Sequence, residues 1–123
     1  MAELHVEVVA AEGRVWSGTA TMVVARTTEG EIGIMPGHES VLALLASGPV
    51  SVQAVDGGTM RAAVHGGFLS VADDNVSILA ETAEREEDID RQRAEHAMER
   101  AVSEEDEDAR RRAETRLLVA GVR

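Results

Sequence analysis

The chain changes its hydrophobic period once, after Thr82, and that change restricts the folds open to it more than any other feature. Upstream, apolar residues recur at every second position. Leu4, Val6 and Val8 alternate with His5 and Glu7, the pattern of a strand with one face in a core. "TMVVART" (residues 21–27), "VSVQAV", "MRAAVHG", "FLSVA" and "VSILAET" follow at short intervals. Asp56-Gly57-Gly58, Gly66-Gly67 and Asp73-Asp74-Asn75 read as turns between them. Short strands divided by tight turns imply an antiparallel sandwich or barrel. The run "VLALL" (residues 41–45) fits a buried strand or a single helical turn, and periodicity does not separate the two.

Downstream the spacing becomes helical. Ala94, Ala97, Met98, Ala101 and Val102 fall at i, i+3, i+4, i+7 and i+8, an amphipathic stripe. Ser103 is placed to cap a second helix, whose first turn is acidic and whose later positions carry Arg110, Arg111, Arg112 and Arg116. That order suits the helix dipole, and Glu107–Arg111 and Asp108–Arg112 have i, i+4 spacing in the favourable direction. The expectation is an α+β chain: an antiparallel β-sandwich over residues 1–84 and a two-helix hairpin over residues 85–123, jointed near Ser103. The hairpin's stripe is mostly alanine. Each CH₂ missing relative to leucine forgoes about 0.8 kcal/mol of burial, so the hairpin is expected to dock weakly enough to move; a fixed packing appendage is the alternative.

Composition removes most chemistry. A chain of 123 residues accommodates one globular domain plus a small appendage. There is no Cys, hence no disulfide, thiolate nucleophile or Cys-ligated metal. All 12 basic residues are Arg, which excludes a P-loop, Schiff-base or general-base lysine. A net charge of −11 argues against nucleic acid as a partner. No apolar run approaches the roughly 20 residues of a membrane span, and "MAELHVEVV" lacks a signal segment, so a protein soluble in the compartment where it is made is expected. His5, His38, His65 and His96 show no close ligand spacing, and no metal site is expected. Neither G-x-S-x-G nor G-x-G-x-x-G occurs. No catalytic residue emerges, and the chain reads as a non-enzyme.

Two stretches remain. "GEIGIMPGHES" (residues 30–40) sets Pro36 and Gly37 at the centre of a type II turn, where Pro fixes φ and Gly supplies a positive φ. "IDRQRA" (residues 89–94) places Asp90 and Arg93 three apart, with Arg100 two turns on and Glu84 just before. A carboxylate beside guanidinium forks can hold an anionic, hydrogen-bonding ligand, or form a plain intrahelical pair.

In order, "GEIGIMPGHES", "HGGFLSVADDNVSILAETAE" and "DIDRQRA" resemble the epsilon subunit of the F-type ATP synthase in its bacterial form, over nearly the whole chain. The resemblance implies a sandwich of about ten strands and a two-helix hairpin. It implies a non-catalytic rotor component that binds the gamma subunit and sits on the c-subunit ring. The hairpin would lie folded on the sandwich or extend toward the alpha/beta catalytic head and restrain ATP hydrolysis. Glu31 and His38 would contact the c ring. The "IDRQRA" stretch matches the I/L-D-x-x-R-A motif of members that bind regulatory ATP. Asp90 and Glu84 would then face adenine, Ile89 and Ala94 line the base, and Arg93 and Arg100 face the phosphates. Arg112 or Arg116 would complete the site when the hairpin closes. The place implied is the cytoplasmic face of the bacterial plasma membrane, peripheral, reached only through the complex. A free-standing ATP-sensing regulatory protein is the competing reading, and a small enzyme a third.

Overall fold

The computed structural model describes residues 2–121. Seven strands come first: β1 (Leu4–Ala10), β2 (Gly13–Thr27), β3 (Gly30–Ile34), β4 (Val41–Leu45), β5 (Gly48–Ala54), β6 (Thr59–Ala72) and β7 (Asn75–Arg85). A 3₁₀ turn (Glu86–Asp88) leads into α1 (Arg91–Ser103) and α2 (Glu107–Val119). The run "VLALL" is a strand, antiparallel to β6.

Two long strands each serve both layers, which is how seven strands do the work of the ten or so expected. The first half of β2 pairs with β1; its second half pairs with β5 on one edge and β3 on the other. In β6, residues 59–64 pair with β5 and residues 67–71 with β4, while β7 runs antiparallel along the opposite edge. β1 closes the array, antiparallel to β2 and parallel to β7. The core between the layers is aliphatic, built on Leu4, Val8, Val23, Ile34, Val50, Val52, Leu69, Val71 and Ile78. Trp16 packs only at its margin, and Phe68 faces outward.

Gly66-Gly67 does not make the turn expected of it. The β6–β7 pairs keep one register from Ala62↔Arg85 to Ala72↔Asn75; Gly67 pairs with Ala80 inside it, and Gly66 lies between paired neighbours. Both have positive φ, +78° and +127°, and a Cβ on Gly67 would stand 2.1 Å from the Leu79 carbonyl oxygen. The pair is required by a close approach of two strands inside one ladder. The other turns form as read. His38 N–H donates to the Met35 carbonyl at 3.1 Å across Pro36-Gly37, with Gly37 at φ +89°. Asp73 and Asp74 both adopt positive φ between β6 and β7.

The helical half departs from the sequence reading in detail. Strand β7 continues to Arg85, beyond Thr82, because Ala63↔Glu84 and Ala62↔Arg85 extend the ladder. Ser103 ends α1 instead of capping α2. The cap is Asp106, whose carboxylate accepts from Ala109 N–H at 3.1 Å. Asp is as good a cap as Ser, and the joint decides between them. Glu105 adopts φ +55°, and Asp106 N–H reaches back to the Ala101 carbonyl at 2.9 Å while Glu105 N–H reaches Val102 at 3.2 Å, a Schellman closure. The Glu107–Arg111 and Asp108–Arg112 pairs are not formed; Arg110 lies between them and takes both Glu107 and Glu114. Of the alanine stripe, Ala94 and Ala101 are buried, whereas Val102 is 58% exposed.

The two kinds of glycine predict different costs. Gly37 has a positive φ but open space around it, so Gly37→Ala should lower unfolding free energy by about 1 kcal/mol. Gly67→Ala meets backbone directly and should cost more than about 2 kcal/mol. Urea unfolding of the two variants checks the order; equal midpoints would mean that the strands do not approach as closely as described.

Candidate functional site

The burial pattern of β6 shows where the hairpin rests. Strand residues facing one core should alternate, yet Ala62, Ala63, Val64 and His65 are all buried. Ala62 and Val64 belong to the sandwich core and Ala63 and His65 do not. Those two lie on the outer face of the sheet, where α2 packs across β5 and β6. Helix α1 packs in turn on α2. On α2, Thr115 and Val119 are buried one turn apart; Ala113 lies roughly 160° around the helix from Thr115 and is buried as well.

A set of polar contacts joins the helix to the sheet. Ser47 Oγ lies 3.1 Å from His65 Nδ1 and 3.0 Å from Thr115 Oγ1, and the Thr115 hydroxyl also donates to the Arg111 carbonyl at 2.8 Å. Glu84 Oε1 accepts from Arg116 Nε and lies 3.2 Å from His65 Nε2. Arg61 donates to the carbonyls of Val119 at 3.1 Å and Leu118 at 3.3 Å, and pairs with Glu86 at 3.2 Å. A guanidinium there meets the last carbonyls of α2 and the negative end of its dipole. Burial opposes ionisation of Glu84, yet hydrogen bonding and charge from Arg116, joined by His65, hold its carboxyl below the usual 4.5. Burial lowers the His65 imidazole from its usual 6.5 against the raising effect of the Glu84 hydrogen bond, and the Arg116 charge lowers it further.

Above this contact a cleft of about 550 Å³ opens between the two helices and the end of β7. Its walls carry Glu84, Asp90, Arg93, Ala94 and Arg100, five of the six residues expected from the "IDRQRA" region, together with both Arg112 and Arg116. Ile89 is half-buried and does not line it. Asp90 sits just outside α1, where its carboxylate accepts from Arg93 N–H at 3.0 Å. It is a helix cap, and the intrahelical Asp90–Arg93 ion pair is absent. Asp88, Glu104 and Asp106, not anticipated from the sequence, also line the cleft. Arg93, Arg100 and Arg112 have no carboxylate within ion-pair distance among the described residues.

Glu31 and His38 are not brought together. Glu31 is the second residue of β3, exposed, and half-buried His38 lies beyond the far end of the same strand. Four residue steps separate Glu31 from Met35, about 13 Å at an extended rise. The Pro36-Gly37 turn is instead tied to the β6–β7 turn, where Gly37 N–H donates to Asp74 Oδ1 at 2.8 Å. Among the described residues no group of three or more His, Asp and Glu could hold a metal ion, and no helix is long and apolar enough to cross a membrane.

Ser47, Arg61, His65 and Thr115 escaped the sequence reading. Its one available signal was the run "AAVH", whose small residues and histidine interrupt strand alternation where a second layer covers the sheet.

The geometry agrees with known proteins. Residues 3–86 match the family described as "ATP synthase, Delta/Epsilon chain, beta-sandwich domain". The ATP synthase epsilon chain of Streptomyces griseus is 59% identical over 122 residues, covering 99% of this chain and 98% of that one. The epsilon chain of Rhodococcus erythropolis is 63% identical over 91 residues, covering 73% and 75% respectively. A chain in the cryo-EM structure of the Euglena gracilis mitochondrial ATP synthase (OSCP/F1/c-ring) superposes with a TM-score of 0.78 at 28% identity, over 95% of this chain and 76% of that one. A chain of the Tetrahymena thermophila mitochondrial ATP synthase central stalk and c ring shares the fold, with a TM-score of 0.61 at 15% identity over 92% and 96%. With a sandwich matched along its length and near-full-length relatives at this identity, the chain belongs to the epsilon-chain family of the ATP synthases.

Proposed function

We propose that this epsilon subunit is a non-catalytic part of the rotor that couples proton flow through the c ring to ATP synthesis. In this reading it restrains ATP hydrolysis with its C-terminal hairpin, and the inter-helix cleft is its nucleotide sensor. The observation that carries the sensor is the set of three guanidinium groups, Arg93, Arg100 and Arg112, that line one cleft with no carboxylate in ion-pair distance among the described residues. A cleft of about 550 Å³ lies within the range of small-ligand sites. Local charge is less hostile than the chain's −11: five carboxylates line the cleft against four arginines, close to balance. Arg93, Arg100 and Arg112 suit the phosphates of ATP, and Glu84 and Asp90 offer acceptors to the adenine amino group. Because α1 and α2 both contribute, ATP would bind best with the hairpin closed and would shift the population toward the folded form.

The outer face of the sandwich supplies a partner surface. Leu44, Phe68 and Leu79 stand opposite one another on β4, β6 and β7, at 53%, 49% and 52% exposure, and Leu42 continues the row at 73%. An apolar row on an otherwise charged subunit marks a protein contact, and its occupant in this reading is the gamma subunit. Glu31 and the Pro36-Gly37-His38 turn are assigned to the c ring, at opposite ends of β3. Residues 1–84 thus form the coupling unit and residues 85–123 the regulatory one, attached peripherally at the cytoplasmic face of the membrane through the complex.

Three outcomes test the reading. Titration calorimetry of the subunit with ATP should show saturable heat that Arg93→Ala or Arg112→Ala removes; no heat at about millimolar ATP, some 4 kcal/mol in affinity terms, would leave the cleft without this role. Ending the chain after Asp88 keeps every strand, so the assembled complex should retain the subunit and hydrolyse ATP faster; an unchanged rate would remove the hairpin as the brake. Phe68→Glu should abolish co-purification with gamma while leaving thermal unfolding within about 1 kcal/mol of wild type, since the side chain is outside the core; undiminished co-purification would move gamma to another face.

A further inference from the structure

The Pro36-Gly37 turn is fastened to the sandwich through a residue of another turn. Inside its own loop, His38 N–H donates to the Met35 carbonyl at 3.1 Å, and His38 Nδ1 lies 2.7 Å from the Glu39 carbonyl. Among the described residues, a single hydrogen bond joins residues 36–40 to anything beyond that loop: Gly37 N–H donates to Asp74 Oδ1 at 2.8 Å. The Asp74 carbonyl also accepts from His5 N–H at 2.8 Å. Asp74 thus joins the start of β1, the β6–β7 turn and the Pro36-Gly37 turn at one point. We propose that Asp74 is a positioning residue for the partner-facing turn: its carboxylate holds Gly37 and sets the shape in which the turn meets the c ring.

Packing does not fix this point, because Gly37 stands in open space with nothing within 4 Å of where a Cβ would lie. The β6–β7 turn gives an independent sign that the carboxylate is used. Its two central residues, Asp73 and Asp74, adopt φ +49° and +63° between the paired Ala72 and Asn75. Positive φ at both positions is what a type I′ hairpin turn requires, and glycine is preferred at the second because it reaches that φ without strain. Asp74 keeps the strained backbone and brings a carboxylate that glycine would lack. Strain of this kind points to a use for the side chain. Among the described residues that side chain makes one hydrogen bond, and it goes to Gly37. An ionised acceptor makes this bond stronger than a neutral one would.

The consequence is mechanical. Strands β6 and β7 carry Phe68 and Leu79 of the exposed apolar row. Through Asp74 the turn is referenced to that same strand pair, so one rigid element connects the two surfaces assigned to different partners. Without the carboxylate, Pro36 and Gly37 keep their local turn but lose its direction. The loop then has to be ordered at the moment of contact, which weakens the contact and takes up rotation as slack. The inference rests on the c-ring assignment of this turn and adds to it the residue that presets the turn's shape.

Two substitutions separate the carboxylate from the backbone. Asp74→Gly removes the acceptor and suits the positive φ; Asp74→Asn keeps Oδ1 and tolerates the left-handed region. In the isolated full chain, NMR hydrogen exchange should find the Gly37 amide exchanging at least about tenfold faster in Asp74→Gly, with strand protection unchanged, and close to wild type in Asp74→Asn. In the assembled complex, protons pumped per ATP hydrolysed should fall in Asp74→Gly and recover in Asp74→Asn. A part confined to the hairpin turn predicts instead that glycine is harmless at residue 37 and in pumping. The proposal is overturned by unchanged Gly37 exchange in Asp74→Gly, or by Asp74→Asn behaving as Asp74→Gly does. Undiminished pumping in Asp74→Gly overturns it as well where His38→Ala does diminish pumping. Undiminished pumping in both variants, with faster Gly37 exchange in Asp74→Gly, overturns the c-ring assignment, and the exchange result, obtained without a c ring, upholds the tie.

Discussion

The approach of β6 to β7 at Gly67 is the constraint on which the other features depend. A Cβ there would meet the Leu79 carbonyl oxygen at 2.1 Å, so only glycine lets β7 follow β6 while β6 changes partners from β5 to β4. That change lets one strand serve both layers. It also divides the surfaces. Two residues before Gly67, His65 lies beneath the hairpin; one residue after, Phe68 joins the exposed apolar row with Leu44 and Leu79. Regulation and partner contact in this reading are therefore built three residues apart on a single strand.

The sandwich and the hairpin are held by different physics. Between the sheet layers, leucine, isoleucine and valine are removed from water almost completely, each contributing about 1.5–3 kcal/mol. The hairpin offers alanines, one buried valine and a set of hydrogen bonds and ion pairs. A typical intramolecular hydrogen bond adds only about 0.5–1.5 kcal/mol net, because water competes for the same groups. Such an interface can be specific without being strong. Arg61 on the last carbonyls of α2, Ser47 on Thr115, and Glu84 on Arg116 fix where the helix sits, and the apolar contact beside them is small.

Glu84 belongs to both the cleft and the docking contact. Its carboxylate lines the cleft and is also the acceptor that ties Arg116 and His65 together.

The α+β division, the strand-rich first half and the helical joint near Ser103 were legible because they depend on local rules: period-two alternation, helical spacing and turn chemistry. The Pro36-Gly37 and Asp73-Asp74 turns were legible for the same reason. The cleft was partly so, since Asp90, Arg93, Ala94 and Arg100 lie on one stretch of chain and its entry. Local rules failed wherever the deciding neighbour was distant in sequence. Gly66-Gly67 has turn composition but sits inside a strand, because a positive φ serves a close approach to residues 79–80 equally well. Ser103 yielded to Asp106 because the Schellman closure on Ala101, not the capping residue's identity, fixes where α1 stops. His65 read as one histidine among four, and only the arrival of Ser47, Glu84 and Arg116 from three other segments makes it a buried, doubly hydrogen-bonded ring. The sequence by itself determined where the strand-rich and helical halves lie and most of the segments within them, though not the state of "VLALL" or of Gly66-Gly67. The tertiary structure alone decided which polar side chains lose water and acquire partners, because burial and pairing belong to segments that meet only after folding.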